Sequence, residues 1–175
     1  EADDRIVDPN GPCFDRIHLG RFDDSYQTNQ PFDWIVMLDV LEHIPDATTA
    51  LKKARDLLNP DGRMLLTVPA FNLLWTKHDD FNHHITRYTK RLMGQQACQA
   101  GFEIENQHYL FHWTFPAKLL VRLKESLSPT TPKPASLPGK VSNAILKTIC
   151  RFEQATLTQL RPPFGSSLVV SLRKK

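Results

Sequence analysis

Residues 32–46 read FDWIVMLDVLEHIPD and residues 59–70 read NPDGRMLLTVPA. Trp34 to Val40 is an apolar, β-branched-rich run, of the length expected for a strand covered on both faces. Asp46 after Pro45 supplies a helix N-cap. Ala50, Leu51, Ala54, Leu57 and Leu58 recur at helical spacing and predict one apolar stripe. Asn59-Pro60-Asp61-Gly62 predicts a stop and a turn, and Met64 to Val68 a second buried strand. The pair therefore predicts one strand–helix–strand unit of a parallel sheet. Ligands of open α/β sheets bind beyond the carboxyl ends of the strands. Asp39, Glu42 and His43 fall at that end of the first strand.

Working outward, Phe14 to Leu19 is a short strand candidate, with Gly20 to Asp24 a loop. A long polar and aromatic loop follows the second strand, from Phe71 to Tyr88. A helix is expected from Lys90 to Ala100, closed by Gly101, and a strand from Phe102 to Leu110. Phe111 to Lys124 reads as a helix after Pro116. Ser126 to Lys140 contains four prolines and predicts an irregular connector. Val141 to Leu160 forms an amphipathic pattern with Val141, Ile145, Ile149 and Phe152 on one face. Ser167 to Leu172 predicts a last strand.

The 175 residues are 41% hydrophobic and 23% charged, values of a soluble globular chain with a real core. Three cysteines without CxxC spacing suggest reduced thiols and a cytoplasmic setting. No apolar run approaches the ~20 residues that span a bilayer. Charge is uneven: 11 Lys/Arg face 17 Asp/Glu through Phe111, and 11 face 2 beyond it. A basic C-terminal half invites peripheral contact with an anionic membrane, such as the inner membrane, or remains a solvated helix face. Nucleic acid is not favoured, because the basic half carries no recognised binding motif.

Together these pieces resemble the class I S-adenosylmethionine-dependent methyltransferases, in particular the bacterial type 11/12 domain. The resemblance rests on FD-strand-DVLEHIPD, NPDGRMLLTVPA, LWTKHDDFNHHITRYTKRLM followed by AGFEI, and the closing GSSLVVSLRK. It covers residues 14 to 111 and 164 to 174. It implies a Rossmann-like α/β fold with a mostly parallel sheet and an antiparallel last strand. The implied division is a core over 1–114, a helical insertion or lid over 115–163 with a Pro-rich linker at 126–140, and a returning strand over 164–175. The family's glycine-rich loop has no counterpart, since GxGxG occurs nowhere. With the opening Glu1-Ala2-Asp3-Asp4, this suggests a chain that lacks the family's first strand and binds its cofactor weakly.

The cofactor implied is S-adenosylmethionine. Glu1 resembles the acidic residue that binds the ribose hydroxyls. Arg21 and Phe22 resemble those that meet the adenine, although Phe22 read alone is a core residue. Leu38 and Asp39 resemble the pair flanking the methionine portion. The reaction implied is methyl transfer, most simply to oxygen, on a small-molecule or lipid-linked acceptor. His84 or His78 is the candidate general base, with Asp79 or Asp80 to orient the imidazole, because histidine titrates near neutrality. Arg87 and Tyr88 are candidates to hold an anionic or phenolic acceptor. The same histidines also read as a cap satisfying local backbone groups. His78, Asp79, His83 and His84 also offer nitrogen and oxygen ligands, but no HExxH or cysteine pair supports a metal, and none is assigned. The competing reading is a non-catalytic membrane- or partner-binding module on the same fold.

Overall fold

The computed structural model describes residues 11, 17–18, 20, 22, 26–127 and 139–175, Thr158 by its backbone alone. Glu1, Arg21 and most of the strand expected at 14–19 lie outside the described residues, as does most of the connector at 126–140.

Four strands form one sheet in the order β1-β2-β4-β3: β1 Phe32–Leu38, β2 Leu58–Pro69, β3 Phe102–Leu110 and β4 Ser167–Lys174. β1 and β2 are parallel, and β4 runs antiparallel to both β2 and β3. Three strands thus point one way and the last the other, as expected. The crossover from β1 to β2 is α1, Ala47–Asp56, whose N-cap Asp46 accepts the Thr49 backbone N–H at 3.0 Å. Its stripe of Ala50, Leu51 and Ala54 is buried, with Leu58 below it. α3, Lys90–Gln99, lies against β3 and buries Met93 and Ala97. Met64, Leu66 and Val68 of β2 meet Leu168, Val170 and Leu172 of β4 to make the centre of the core.

Two expectations change. β2 starts at Leu58, not Met64, so Asn59–Gly62 is an excursion within a strand. Phe32 pairs with Leu58 and Trp34 with Arg63, so four residues bulge out opposite one. Asp61 adopts φ +63° there, the left-handed conformation the turn residues favour. Second, among the described residues β1 is not covered on both faces. Met37 is buried, but Trp34, Val36 and Leu38 are 53%, 55% and 58% exposed. β1 is the edge strand among the described residues, and apolar side chains alone do not bring a second layer over it.

The loop at 71–88 is more ordered than its composition suggests. It holds a 3₁₀ turn at Asn72–Leu74 and the short helix α2, Lys77–Phe81. Beyond β3 come α4, Thr114–Leu127, and α5, Lys140–Ala155. The helix expected over 141–160 breaks at Thr156, and α6, Leu157–Leu160, completes it. α5 is anchored at its C-terminal end, where buried Glu153 accepts the backbone N–H of His112 at 3.0 Å. α4 is tied to the loop by Arg122, which donates to the Asn72 and Trp75 carbonyls. Gly165 permits the return to β4, since a Cβ there would stand 2.5 Å from the Leu110 carbonyl oxygen.

Candidate active site

The carboxyl ends of β1 and β2 are held level by one residue. Asp39, at φ +51°, donates its backbone N–H to the Thr67 carbonyl at 3.0 Å, and the Thr67 hydroxyl donates to its carboxylate at 3.3 Å. A 3₁₀ turn, Leu41–His43, follows. It buries Leu41 and Glu42 and leaves His43 exposed.

The second half of the site is the segment after α2. The Thr76 backbone N–H donates to Asp79 at 2.8 Å, which fixes that carboxylate at the helix start. Arg87 then clamps Asp79 with two N–H donors, at 2.9 and 3.0 Å, and gives a third bond to the Ala70 carbonyl. His84 Nδ1 completes the set, 2.8 Å from Asp79 Oδ1. Two backbone-anchored contacts bind the halves together. Ile85 N–H donates to the Glu42 carbonyl at 2.8 Å, and the Tyr88 hydroxyl donates to the Leu41 carbonyl at 3.3 Å. The rings of His43 and His84 consequently meet edge to face, 4.9 Å between centroids.

Electrostatics sort these groups. Burial pushes Glu42 up to about 7, with a counteracting backbone bond and further upward pressure from Asp39. Burial would raise Asp79 too, but the Thr76 N–H and the Arg87 guanidinium outweigh it and hold Asp79 below the usual carboxylate range. Burial lowers His84 against the pull of Asp79, so its imidazole stays neutral at pH 7. The Asp79 contact then places the proton on Nδ1 and leaves the lone pair on Nε2. Burial also lowers Lys118 of α4, whose amine senses Arg87, Asp79 and Asp39. Sequence spacing gave no sign of Lys118, because α4 reaches the site only through its tertiary packing.

The candidate side chains fall in different surroundings. Arg87 is 2% exposed and wholly committed to Asp79 and Ala70, so it is not free to hold an acceptor. Tyr88 is fully buried beneath Leu41 and is a core residue. His78 is exposed and bonds Asn82 at 2.8 Å, away from Asp79. Asp80 accepts the Trp75 indole N–H and orients no imidazole. His84 with Asp79 is the pairing that forms. Phe22 packs against the core and lines a hollow of about 300 Å³ with Tyr26, Trp34, Ile35 and Leu57. Asp39 is not part of that lining. A larger hollow of about 530 Å³ lies between Asn72–Lys77 and Arg122–Ser126 of α4, and touches the His84 segment only at Ile85.

A family model described as a methyltransferase domain matches residues 6–107. The chain belongs to that methyltransferase family, and its sheet order is the Rossmann-like arrangement of such proteins. Among solved structures, it resembles a protein assigned as a sarcosine dimethylglycine methyltransferase from Galdieria sulphuraria, at 16% identity and TM-score 0.52 over 90% of this chain and 58% of that one. It also resembles a protein assigned as a methyltransferase from Bacillus halodurans, at 16% identity and TM-score 0.52 over 89% and 70%. A third likeness is to a Haloferax volcanii structure of the Trm112 methyltransferase activator in complex with a methyltransferase, at 15% identity and TM-score 0.51 over 89% and 59%. These likenesses show the fold. The chain spans just under three-fifths of the first and third of these proteins. No curated protein sequence matches it.

Proposed function

We propose that this domain serves S-adenosylmethionine-dependent methyl transfer to an oxygen of a small-molecule or lipid-linked acceptor. The observation that carries the reading is the Asp79–His84 pair beside the open ends of β1 and β2. S-adenosylmethionine supplies a methyl group on a sulfonium, already activated for displacement. What the chain must add is position and a place for the acceptor's proton. Leu38 and Asp39 fit the methionine end: both are exposed at the strand tip, with the Asp39 backbone pinned by Thr67. Glu1, Arg21 and Phe22 remain the candidates for the nucleoside end. His84, oriented through Nδ1 by Asp79, offers its Nε2 lone pair to an acceptor hydroxyl.

The lipid-linked form of the acceptor is supported by α5. Val141, Ile145 and Phe152 are exposed along it, with Lys140, Lys147 and Arg151 among them. Such a helix suits an anionic membrane surface. No described helix is long and apolar enough to cross a membrane.

Transfer of tritium from methyl-labelled S-adenosylmethionine to hydroxyl acceptors, free and lipid-linked, tests the reading. His84→Ala is expected to lower the rate at least tenfold, about 1.4 kcal/mol of barrier, and His78→Ala to retain most of it. Equal rates for the wild type and His84→Ala would remove His84 from the chemistry. Sedimentation with anionic vesicles at low and high salt tests the membrane contact, and salt-insensitive or absent binding removes it.

A further inference from the structure

We propose that Glu42, His43 and His84 form a binding site for one divalent transition-metal ion, with coordination positions left open toward the crevice. Each residue offers one ligand atom, and the three atoms lie within 4.8 Å of one another. One carboxylate and two imidazoles are a donor set that suits ions such as manganese, iron or zinc. Three protein ligands leave room for water or an oxygen of a bound molecule, as in sites that act on substrates rather than brace a fold.

A second observation points to a missing partner. Glu42 is 1% exposed, and its Oε2 has no hydrogen-bond partner in the protein. A buried carboxylate oxygen without a partner is costly, and a cation is one of the few neighbours that offsets the cost. The Glu42 backbone is held by the Ile85 N–H, and burial confines the side chain that leaves it.

The surroundings of His84 complete the case. A metal-ligating histidine usually donates its other ring N–H to a carboxylate, which fixes the tautomer and raises ligand basicity. Asp79 takes that place at 2.8 Å from Nδ1, leaving Nε2 for the ion. An ion held there takes the lone pair that would otherwise meet the acceptor hydroxyl, so His84 serves the metal or the proton and not both at once. Arg87 balances the Asp79 charge, so Asp79 acts as the orienting carboxylate and stays out of the ligand set. With metal–ligand bonds of about 2.1 Å, ligand atoms in a tetrahedral site stand roughly 3.4 Å apart. Closing from 4.8 Å to that spacing asks for an approach of about 1.4 Å, which exposed His43 can supply by rotation. The histidine set weighed from sequence fails on the same geometry, because His78 turns to Asn82 and His83 is exposed at φ +58°.

The site rests on donor geometry alone and is tested without cofactor or turnover, so its failure and that of the methyl-transfer reading are separately visible. The 175-residue chain is stripped with chelator and titrated with manganese chloride, the free ion being followed by electron paramagnetic resonance, and with zinc chloride by calorimetry. One ion per chain is expected for at least one metal, with affinity lowered at least tenfold by His43→Ala and by Glu42→Gln and unchanged by His83→Ala. His43 is exposed, so its variant is expected to melt like the wild type, which separates lost ligation from lost folding. Manganese is further expected to broaden the ring proton resonances of His43 and His84 ahead of those of His83. Absence of saturable binding by both ions overturns the proposal, as does binding that His43→Ala and Glu42→Gln leave intact.

Discussion

The backbone N–H of Ile85 stands 2.8 Å from the carbonyl of Glu42, joining two segments more than forty residues apart. That single bond sets His84 against the turn that ends β1. The Asp79–Arg87 clamp performs the equivalent task from beneath, and both partners are buried. The site is therefore a rigid constellation assembled from two local turns.

The clamp makes a stability prediction. Removing one partner strands a buried charge, so Asp79→Ala or Arg87→Met should each cost about 3–5 kcal/mol. The double variant Asp79→Ala/Arg87→Met should recover part of that loss, because neither charge is then left alone. Urea unfolding of the three variants measures it. Additive losses in the double variant would show that the two residues do not act as a pair.

The helix that follows carries a smaller, cleaner test. Thr89 caps α3 by accepting the Leu92 backbone N–H at 3.2 Å. Thr89→Ala should lower stability by about 1 kcal/mol. Thr89→Ser, which keeps the acceptor, should lose much less.

Acid sensitivity should arise partly from His108 on β3. Burial lowers its affinity for protons below that of an ordinary histidine at 6.5, with Arg161, Lys90 and His112 adding to the effect. The unfolded chain then takes up the proton first as pH falls, so stability declines from about 6.5 downward. His84 is depressed in the same direction and contributes its own share. The urea midpoint should fall between about pH 7.5 and about pH 5.5, and fall less in His108→Gln. An identical decline in that variant would assign the effect elsewhere.

The bare face of β1 predicts behaviour in concentrated solution. Trp34 and Val36 lie exposed on an edge strand, a combination that promotes strand-to-strand association. Trp34→Thr with Val36→Thr should reduce self-association in light scattering while changing stability by no more than about 0.5 kcal/mol per site. Unchanged scattering would mean that this face is not where copies of the chain meet.

The elements were legible wherever hydrophobic period and punctuation agreed. α1 has an N-cap, an apolar stripe and a stop, and β4 alternates cleanly between Leu168, Val170 and Leu172. The sites were harder for a definite reason. Arg87 and Tyr88 look like ligand-holding residues because charged and phenolic groups usually face water. Here Arg87 pairs with buried Asp79 and Tyr88 bonds the Leu41 carbonyl, and only the fold shows that. Glu42 and His43 sit where strand-end ligands are expected, but their convergence with His84 depends on how the loop at 71–88 folds back. Composition does not encode that path. Nor does it show that β1 lacks a cover on one side among the described residues, since an apolar strand reads alike whether or not a neighbour arrives.

The four-residue excursion at Asn59–Gly62 separates the two rims of the sheet. Pairing from Trp34↔Arg63 to Leu38↔Thr67 proceeds in step once the excursion has been passed. Lengthening or shortening the chain at Asn59–Gly62 would therefore be absorbed on the far rim. The alignment of Asp39 with Thr67 would stay as it is, so an insertion on one rim of the sheet goes unfelt at the other.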